Sequence, residues 1–260
     1  MGKIVIPKAF LIAETKVDYA AMDHALLHLG VDGWATDSDN DADVLTEFAG
    51  KSCYMSFDKQ LNLNLTKVGG RSNEAYIQEG IIGNKHGSVL EHSSVTFFLT
   101  NVSRVVTHEL VRHRAGTAFS QTSGRYVRSD AIDMYLPDEL AVYPEAVAVF
   151  QRANEQMEAN LAELVKVTGI DTMTNFGLKK RLTSAFRRIL GNGQANHLVM
   201  TGNHRAWRHI IEMRTSVHAE EEIRVIIGDV AQQLKVKFPT IYADMSENPV
   251  GEWEFTNSKV

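Results

Sequence analysis

A single cysteine, Cys53, is all the thiol that the 260-residue chain carries, and this scarcity closes several routes. It excludes an intrachain disulfide and any zinc or iron–sulfur site built on several cysteines. Cys53 itself is expected to be a small buried hydrophobe. Long apolar runs are missing too: no stretch approaches the roughly 18 residues that a membrane helix requires. Met1 to Ala13, interrupted by Pro7 and Lys8, does not read as a signal peptide, so a soluble cytoplasmic protein is expected. Nor is there an excess of positive charge. Against 27 Lys and Arg stand 32 Asp and Glu, a formal net charge of −5, which argues against a protein that coats a nucleic acid. With 44% hydrophobic and 23% charged residues the chain can bury a sizeable core and has none of the bias of a disordered segment.

Against that acidic background one stretch is strongly basic. Ser103 to Arg128, S-R-V-V-T-H-E-L-V-R-H-R-A-G-T-A-F-S-Q-T-S-G-R-Y-V-R, holds five arginines and two histidines against one acid, Glu109. Its first half predicts a helix: Ser103 is a ready N-cap, and Val106 and Leu110 recur at a spacing of four. That periodicity puts His108 with Arg112 on a second face and Glu109 with His113 on a third. Gly116 is expected to end the helix. Thr117 to Gly124 is then a run of small and hydroxyl residues whose backbone N–H groups can approach a phosphate, with Arg125 able to grip it through two parallel bonds. Such a composition suits an oxyanion.

The rest of the chain reads as an α+β domain over residues 1–260: a central mixed or antiparallel sheet flanked by helices, with a helical C-terminal half over about 145–238. Lys3 to Leu11 predicts an opening strand or arm, and Tyr19 to Leu29 a helix stopped by Gly30. Asp32 to Glu47 carries six acids and no Lys or Arg, the pattern of a solvated surface, and runs into a helix over Ala42 to Phe57. Asn73 to Asn84 is a further helix. From Ser94 to Val102, Val95, Phe97 and Leu99 alternate with Thr96, Phe98 and Thr100 as in a half-buried strand. Glu145 to Thr168 is a long amphipathic helix stopped by Gly169, and Gly177 to Leu190, Asn203 to Met213 and His218 to Phe238 follow as helices.

From Lys179 to Arg214 eight basic residues stand against one acid, Glu212, forming a second cationic cluster. Lys179 to Arg181 alone have the composition of a solvated helix face. Arg214 does not: it shares a helix face with Trp207 and Ile210, and a guanidinium beside a core face needs an anionic partner.

Arg112-His113-Arg114, then eight residues, then Ser123-Gly124-Arg125-Tyr126 resembles the signature of the flavin-dependent thymidylate synthases, Arg-His-Arg followed by seven or eight residues and a serine. Two further stretches match in the same order. His86 to His92 precedes the strand that leads into the motif helix, and Asn203-x-Arg205, with His209 and Arg214, follows it. The resemblance runs from about Ser52 onward. It implies an enzyme that makes dTMP from dUMP, with the methylene group drawn from 5,10-methylenetetrahydrofolate and reducing power from NADPH through bound FAD. It also implies a homotetramer with shared active sites. FAD contacts are implied for Ser88, Glu91, Arg112, His113, Arg114, Gln121, Asn203, Arg205 and His209. Nucleotide contacts are implied for Glu109, Arg112, Gln121, Ser123, Gly124, Arg125, Arg187 and Arg214, the last acting catalytically on the uracil ring.

The residue chemistry runs the same way. Two arginine clusters in an acidic protein suit two small phosphate-bearing ligands better than a polymer, which wants basic surface throughout and aromatic platforms. An arginine at the uracil edge stabilises negative charge as C5 becomes nucleophilic, because it stays charged and forks. Cys53 lies outside both clusters, so no thiolate attack on the ring is expected, and Ser123, with no evident base beside it, reads as a phosphate ligand. Two other readings fit parts of the sequence: a nucleotide-binding module without redox chemistry, and a metallohydrolase using His86, Glu91 and His92. Neither accounts for the Arg-His-Arg spacing, and no metal is expected.

Overall fold

Val95, Phe97 and Leu99, alternating with more polar neighbours, are buried on one face of strand β2 (Ser94–Ser103) in the computed structural model, which describes residues 2–57, 70–128, 130–258 and 260. β2 pairs antiparallel with β1 (Lys8–Glu14) on one side and with β4 (Ala195–Asn203) on the other. β3 (Thr117–Gln121) completes the order β1-β2-β4-β3, antiparallel throughout. The α+β expectation holds, with one change. β4 cuts through the region expected to be helical: Leu198, Met200 and Gly202 are buried while His197, Val199 and Thr201 are not, a period of two that a helix cannot show.

Asp18 caps α1 (Tyr19–His28), and Asn40 caps α2 (Asp41–Tyr54), which stops at left-handed Met55, short of the expected Phe57. α3 (Asn73–Ala75) runs into a π-helical turn, Tyr76–Ile82, and a 3-10 turn, Gly87–Glu91, leads into β2. α4 (Arg104–Leu110) follows β2 directly. After β3 come α5 (Asp138–Ala141), α6 (Pro144–Thr168) and α7 (Phe176–Phe186). α8 (His204–Arg214) follows β4, then α9 (Glu221–Lys237) and a hairpin of β5 (Met245–Glu247) and β6 (Trp253–Phe255) that sequence reading had not found.

α8 and α9 cover the sheet's inner face. Trp207, Ile210 and Ile211 from the first, and Ile223, Ile227, Val230 and Leu234 from the second, pack with the buried side of β2 and β4. Each such side chain contributes about 1.5–3 kcal/mol by leaving water. A smaller cluster of Ile132, Met134, Leu161, Ile170 and Phe186 seats α6 and α7. Among the described residues no helix is long and apolar enough to cross a membrane.

Two expectations fail on α2. The acid-rich segment is not all solvated, for Asp43 and Glu47 are 3% and 2% exposed. Glu47 tolerates burial because partners replace water: Lys51 Nζ lies at 2.9 Å, Thr36 Oγ1 donates at 2.6 Å and Asn73 Nδ2 at 2.7 Å. Burial pushes the Asp43 carboxyl up to about 6. Cys53 is exposed rather than buried, because the inward positions are Val44, Glu47 and Lys51, and two residues past Lys51 the helix presents its other side.

Candidate active site

The basic stretch begins as its sequence predicts. Ser103 Oγ accepts from the Val106 N–H at 3.3 Å, and buried Glu222 accepts from the Ser103 N–H at 2.7 Å, so the start of α4 is pinned from two sides. Val106 and Leu110 are buried at their four-residue spacing. The helix then ends early, at Leu110 rather than Gly116. Gly116 adopts φ 70°, and its carbonyl accepts from the Asn203 N–H at 3.0 Å as the chain enters β3. Thr117 to Gln121 is therefore an edge strand laid against β4 rather than a loop, and the backbone groups that face β4 are used in the sheet. What remains of the expected loop is the turn from Ser123, whose Oγ accepts from the Arg125 N–H at 3.3 Å.

The segment leaving α4 runs antiparallel to α8, and three contacts follow in order. Gly116 abuts the Asn203 side chain, which caps α8 by accepting from the Ala206 N–H at 2.8 Å. The rings of His113 and His209 meet edge-on, 5.8 Å between centroids at 70°. Glu109 then meets Arg214: Nη1 donates to Glu109 Oε2 at 2.7 Å, Nη2 to the Glu109 carbonyl at 3.4 Å, and Nε to His113 Nε2 at 2.8 Å. Arg214 thus has the anionic partner that its position beside the core demands. Burial, then the Arg214 charge, then His209 lower the His113 pKa to about 4, so the ring is neutral at physiological pH and free to accept from Arg214.

A second group forms where Gly124 packs against two arginines. A Cβ there would lie 3.4 Å from Arg104 Nη2 and 3.4 Å from Arg187 Cδ. Neither arginine has an ion-pair partner among the described residues. Burial, then the Arg187 charge, lowers the Arg104 pKa. Both line a cleft of about 140 Å³ with Thr122, Asn196 and His197. Arg104 is half-buried and Arg187 exposed, two cations side by side with no acid between them among the described residues, an arrangement suited to an anion. Arg104 was counted in the basic stretch but given no role in sequence; the signal available was its place directly after the Ser103 cap.

Over residues 36–240 the chain matches the family model described as thymidylate synthase complementing protein. It is 39% identical over 247 residues to the flavin-dependent thymidylate synthase of Mycobacteroides abscessus, covering 94% of this chain and 92% of that one. With that of Mycolicibacterium gilvum it shares 38% identity over 214 residues, 81% of this chain and 82% of the other. The chain belongs to the flavin-dependent thymidylate synthases. Its fold agrees with solved structures: a UMP/dUMP methylase, PolB, from Streptomyces cacaoi bound with 5-Br dUMP (TM-score 0.66, 19% identity, 94% and 96% covered). Thymidylate synthase X from Helicobacter pylori with FAD and dUMP gives a TM-score of 0.58 at 17% identity, with 92% and 98% covered. At those identities the likeness speaks for the fold alone.

The remaining family positions fall into place unevenly. Arg205 Nη1 donates to Glu91 Oε1 at 2.5 Å, joining the late motif to the turn that carries exposed Ser88. Gln121 Nε2 donates to Thr107 Oγ1 at 3.1 Å, while Ser120 is exposed on the other side of β3. Arg112, Arg114, Arg125 and Arg187 are exposed, and no acid pairs with them among the described residues. Arg208, counted in the second cationic cluster, is a core residue instead. It is 3% exposed, gripped by Asp244 through Nη1 at 2.7 Å and Nη2 at 2.9 Å, and stacked on Phe255 at 4.2 Å. Glu91 is spent on Arg205 and His86 stacks near Tyr54 at 6.1 Å, so His86, Glu91 and His92 do not gather as a metal-binding trio. The residues fit a flavin dinucleotide, because the exposed and unpaired Arg112 and Arg114 forks suit a diphosphate.

Proposed function

We propose that the chain is an FAD-dependent thymidylate synthase in which dUMP, 5,10-methylenetetrahydrofolate, NADPH and a proton become dTMP, tetrahydrofolate and NADP+. The observation that weighs most is the 2.8 Å bond from Arg214 to His113. It joins two signature stretches 101 residues apart in a chain of this family.

Arg112, His113 and Arg114, with Ser88, Glu91, Gln121, Asn203, Arg205 and His209, hold FAD, which when bound supplies hydride chemistry between NADPH and the one-carbon unit. Ser123, Gly124, Arg125 and Arg187 take the dUMP phosphate, and Arg104 joins them; Arg112 and Gln121 border both ligands. Arg214 stabilises the negative charge that develops on the uracil ring as C5 becomes the nucleophile. No thiol attacks the ring: Cys53 stands exposed on α2, which supplies none of these side chains. The active form is a homotetramer with shared sites, a reading supported by exposed arginines 112, 114, 125 and 187, which find no anionic partner within one chain.

The test is an absorption spectrum between about 300 and 550 nm, then addition of NADPH with dUMP under argon, then a thymidylate assay. Flavin bands that bleach faster with dUMP present are expected. A protein that stays colourless after incubation with FAD overturns the reading and leaves a phosphate-binding module in its place.

A further inference from the structure

Arg214 needs a fixed direction to act on a pyrimidine, and it ends a helix on a long, rotamer-rich side chain. A guanidinium has five N–H donors. Three are engaged here, by the Glu109 carboxylate at 2.7 Å, the Glu109 carbonyl at 3.4 Å and the His113 ring at 2.8 Å. That leaves one on each terminal nitrogen, five less three, for a ligand. Glu109 is poorly suited to bind a nucleotide directly: its charge repels a phosphate, and its carboxylate is already used. It is also the only acid between Ser103 and Arg128, so no solvated acidic face accounts for it. The pair is half-sheltered, with side chains 19% and 32% exposed, where a charge-assisted bond orients more firmly than in open water.

We propose that Glu109 is a positioning residue for Arg214. Its carboxylate and carbonyl, with the His113 ring, aim the guanidinium so that the two unspent N–H groups face the uracil, and Glu109 acts on the nucleotide only through Arg214. The inference rests on the reading of Arg214 given above. It differs from a plain tie between α4 and α8, which would change stability and leave turnover alone.

Tritium release from dUMP labelled at C5 reports the substitution of that hydrogen and gives kcat and KM for each variant. Arg214→Ala is expected to lower kcat about 1,000-fold, as loss of a charge-stabilising donor does. Glu109→Gln, which keeps an acceptor but loses the charge, lowers kcat about 10-fold and Glu109→Ala about 100-fold, with KM for dUMP within about 3-fold of the parent. In the Arg214→Ala background, adding Glu109→Ala changes kcat by less than about 3-fold, because the residue it acted through is gone. Bound flavin per chain verifies the fold of each variant, and the near-isosteric Glu109→Gln carries the test where the alanine variant does not fold. A rise in KM with kcat retained makes Glu109 a direct nucleotide ligand and overturns the proposal. So does a full multiplicative loss in the double variant, or parental kinetics in both Glu109 variants. A parent protein that releases no tritium and binds no flavin is a different failure, that of the thymidylate synthase reading itself.

Discussion

Gly116→Ala tests the join between the signature segment and α8. Gly116 has φ 70°, a left-handed conformation that costs a residue with a Cβ about 1–2 kcal/mol. The new Cβ would also fall within contact distance of the Asn203 side-chain amide, which caps α8 through the Ala206 N–H. Displacing that cap costs about 1 kcal/mol more, so a total of about 2–3 kcal/mol is expected. In a chain of 260 residues this lowers Tm by about 4–10 °C. Asn203→Ala alone removes the cap and costs about 1 kcal/mol. The two are coupled, because once the Asn203 side chain is gone the Cβ has nothing to displace. The double variant should therefore be about 1 kcal/mol more stable than the sum of the single losses predicts. Urea unfolding of the parent and the three variants measures all of this. A Gly116→Ala protein within about 0.5 kcal/mol of the parent, or strictly additive losses, would refute the account.

Four further outcomes are expected. Asp244→Ala strands the buried Arg208 charge and should cost about 3–5 kcal/mol in urea unfolding, far more than a surface carboxylate would. Burial pushes the Glu222 carboxyl up to about 7, so below that pH the folded state keeps a proton that the unfolded chain releases near its ordinary 4.5. Its contribution is present at low pH and lost as pH rises through about 7, and Glu222→Gln should gain stability over the parent across that window. Buried His204 and His113, lowered to about 3 and about 4, have the opposite slope in both proteins, so the difference curve isolates Glu222. Arg104→Ala should raise KM for dUMP about 10-fold or more with kcat little changed, from loss of one charge-assisted bond to phosphate. Cys53→Ala should retain activity; an inactive, folded variant would contradict turnover without a thiol nucleophile.

What the sequence revealed follows from how far each signal reaches. Ser103 and Asn203 were legible as caps because capping is local. β2 was legible because Val95, Phe97 and Leu99 alternate cleanly. β4 was not, since Asn196, His197, Thr201 and Gly202 dilute its period of two and basic helices flank it. The three-residue strands of the C-terminal hairpin are too short to show any period. Arg208 was misassigned because its partner Asp244 lies 36 residues on, and a charge reads as solvated until its partner is found. Arg214 was correctly expected to need an anion, yet only the fold could supply Glu109, 105 residues earlier, as that anion.

The early end of α4 explains how the signature works. β2 and β4 are antiparallel, with Ser94 opposite Asn203 and Ser103 opposite Ala195, so α4 and α8 leave from opposite ends of the pair. From Asn203 to Arg214 the helix advances eleven residues, about 16 Å at 1.5 Å each. The facing segment, Glu109 to Gly116, has seven steps and as a helix would span only about 10 Å, more than a helical turn too little to meet both ends. Contacts at both ends are made, so the segment must stretch, and beyond Leu110 it leaves the helix. There it passes through tighter turns, with the Arg112 and His113 N–H groups donating to the Glu109 and Leu110 carbonyls at 3.3 and 3.0 Å, a winding that rises about 2.0 Å per residue rather than 1.5. His113 is half-buried against His209 and Arg214, while Arg112 and Arg114 on either side of it are exposed. The Arg-His-Arg run thus turns one ring in to α8 and leaves the guanidinium forks on either side of it exposed.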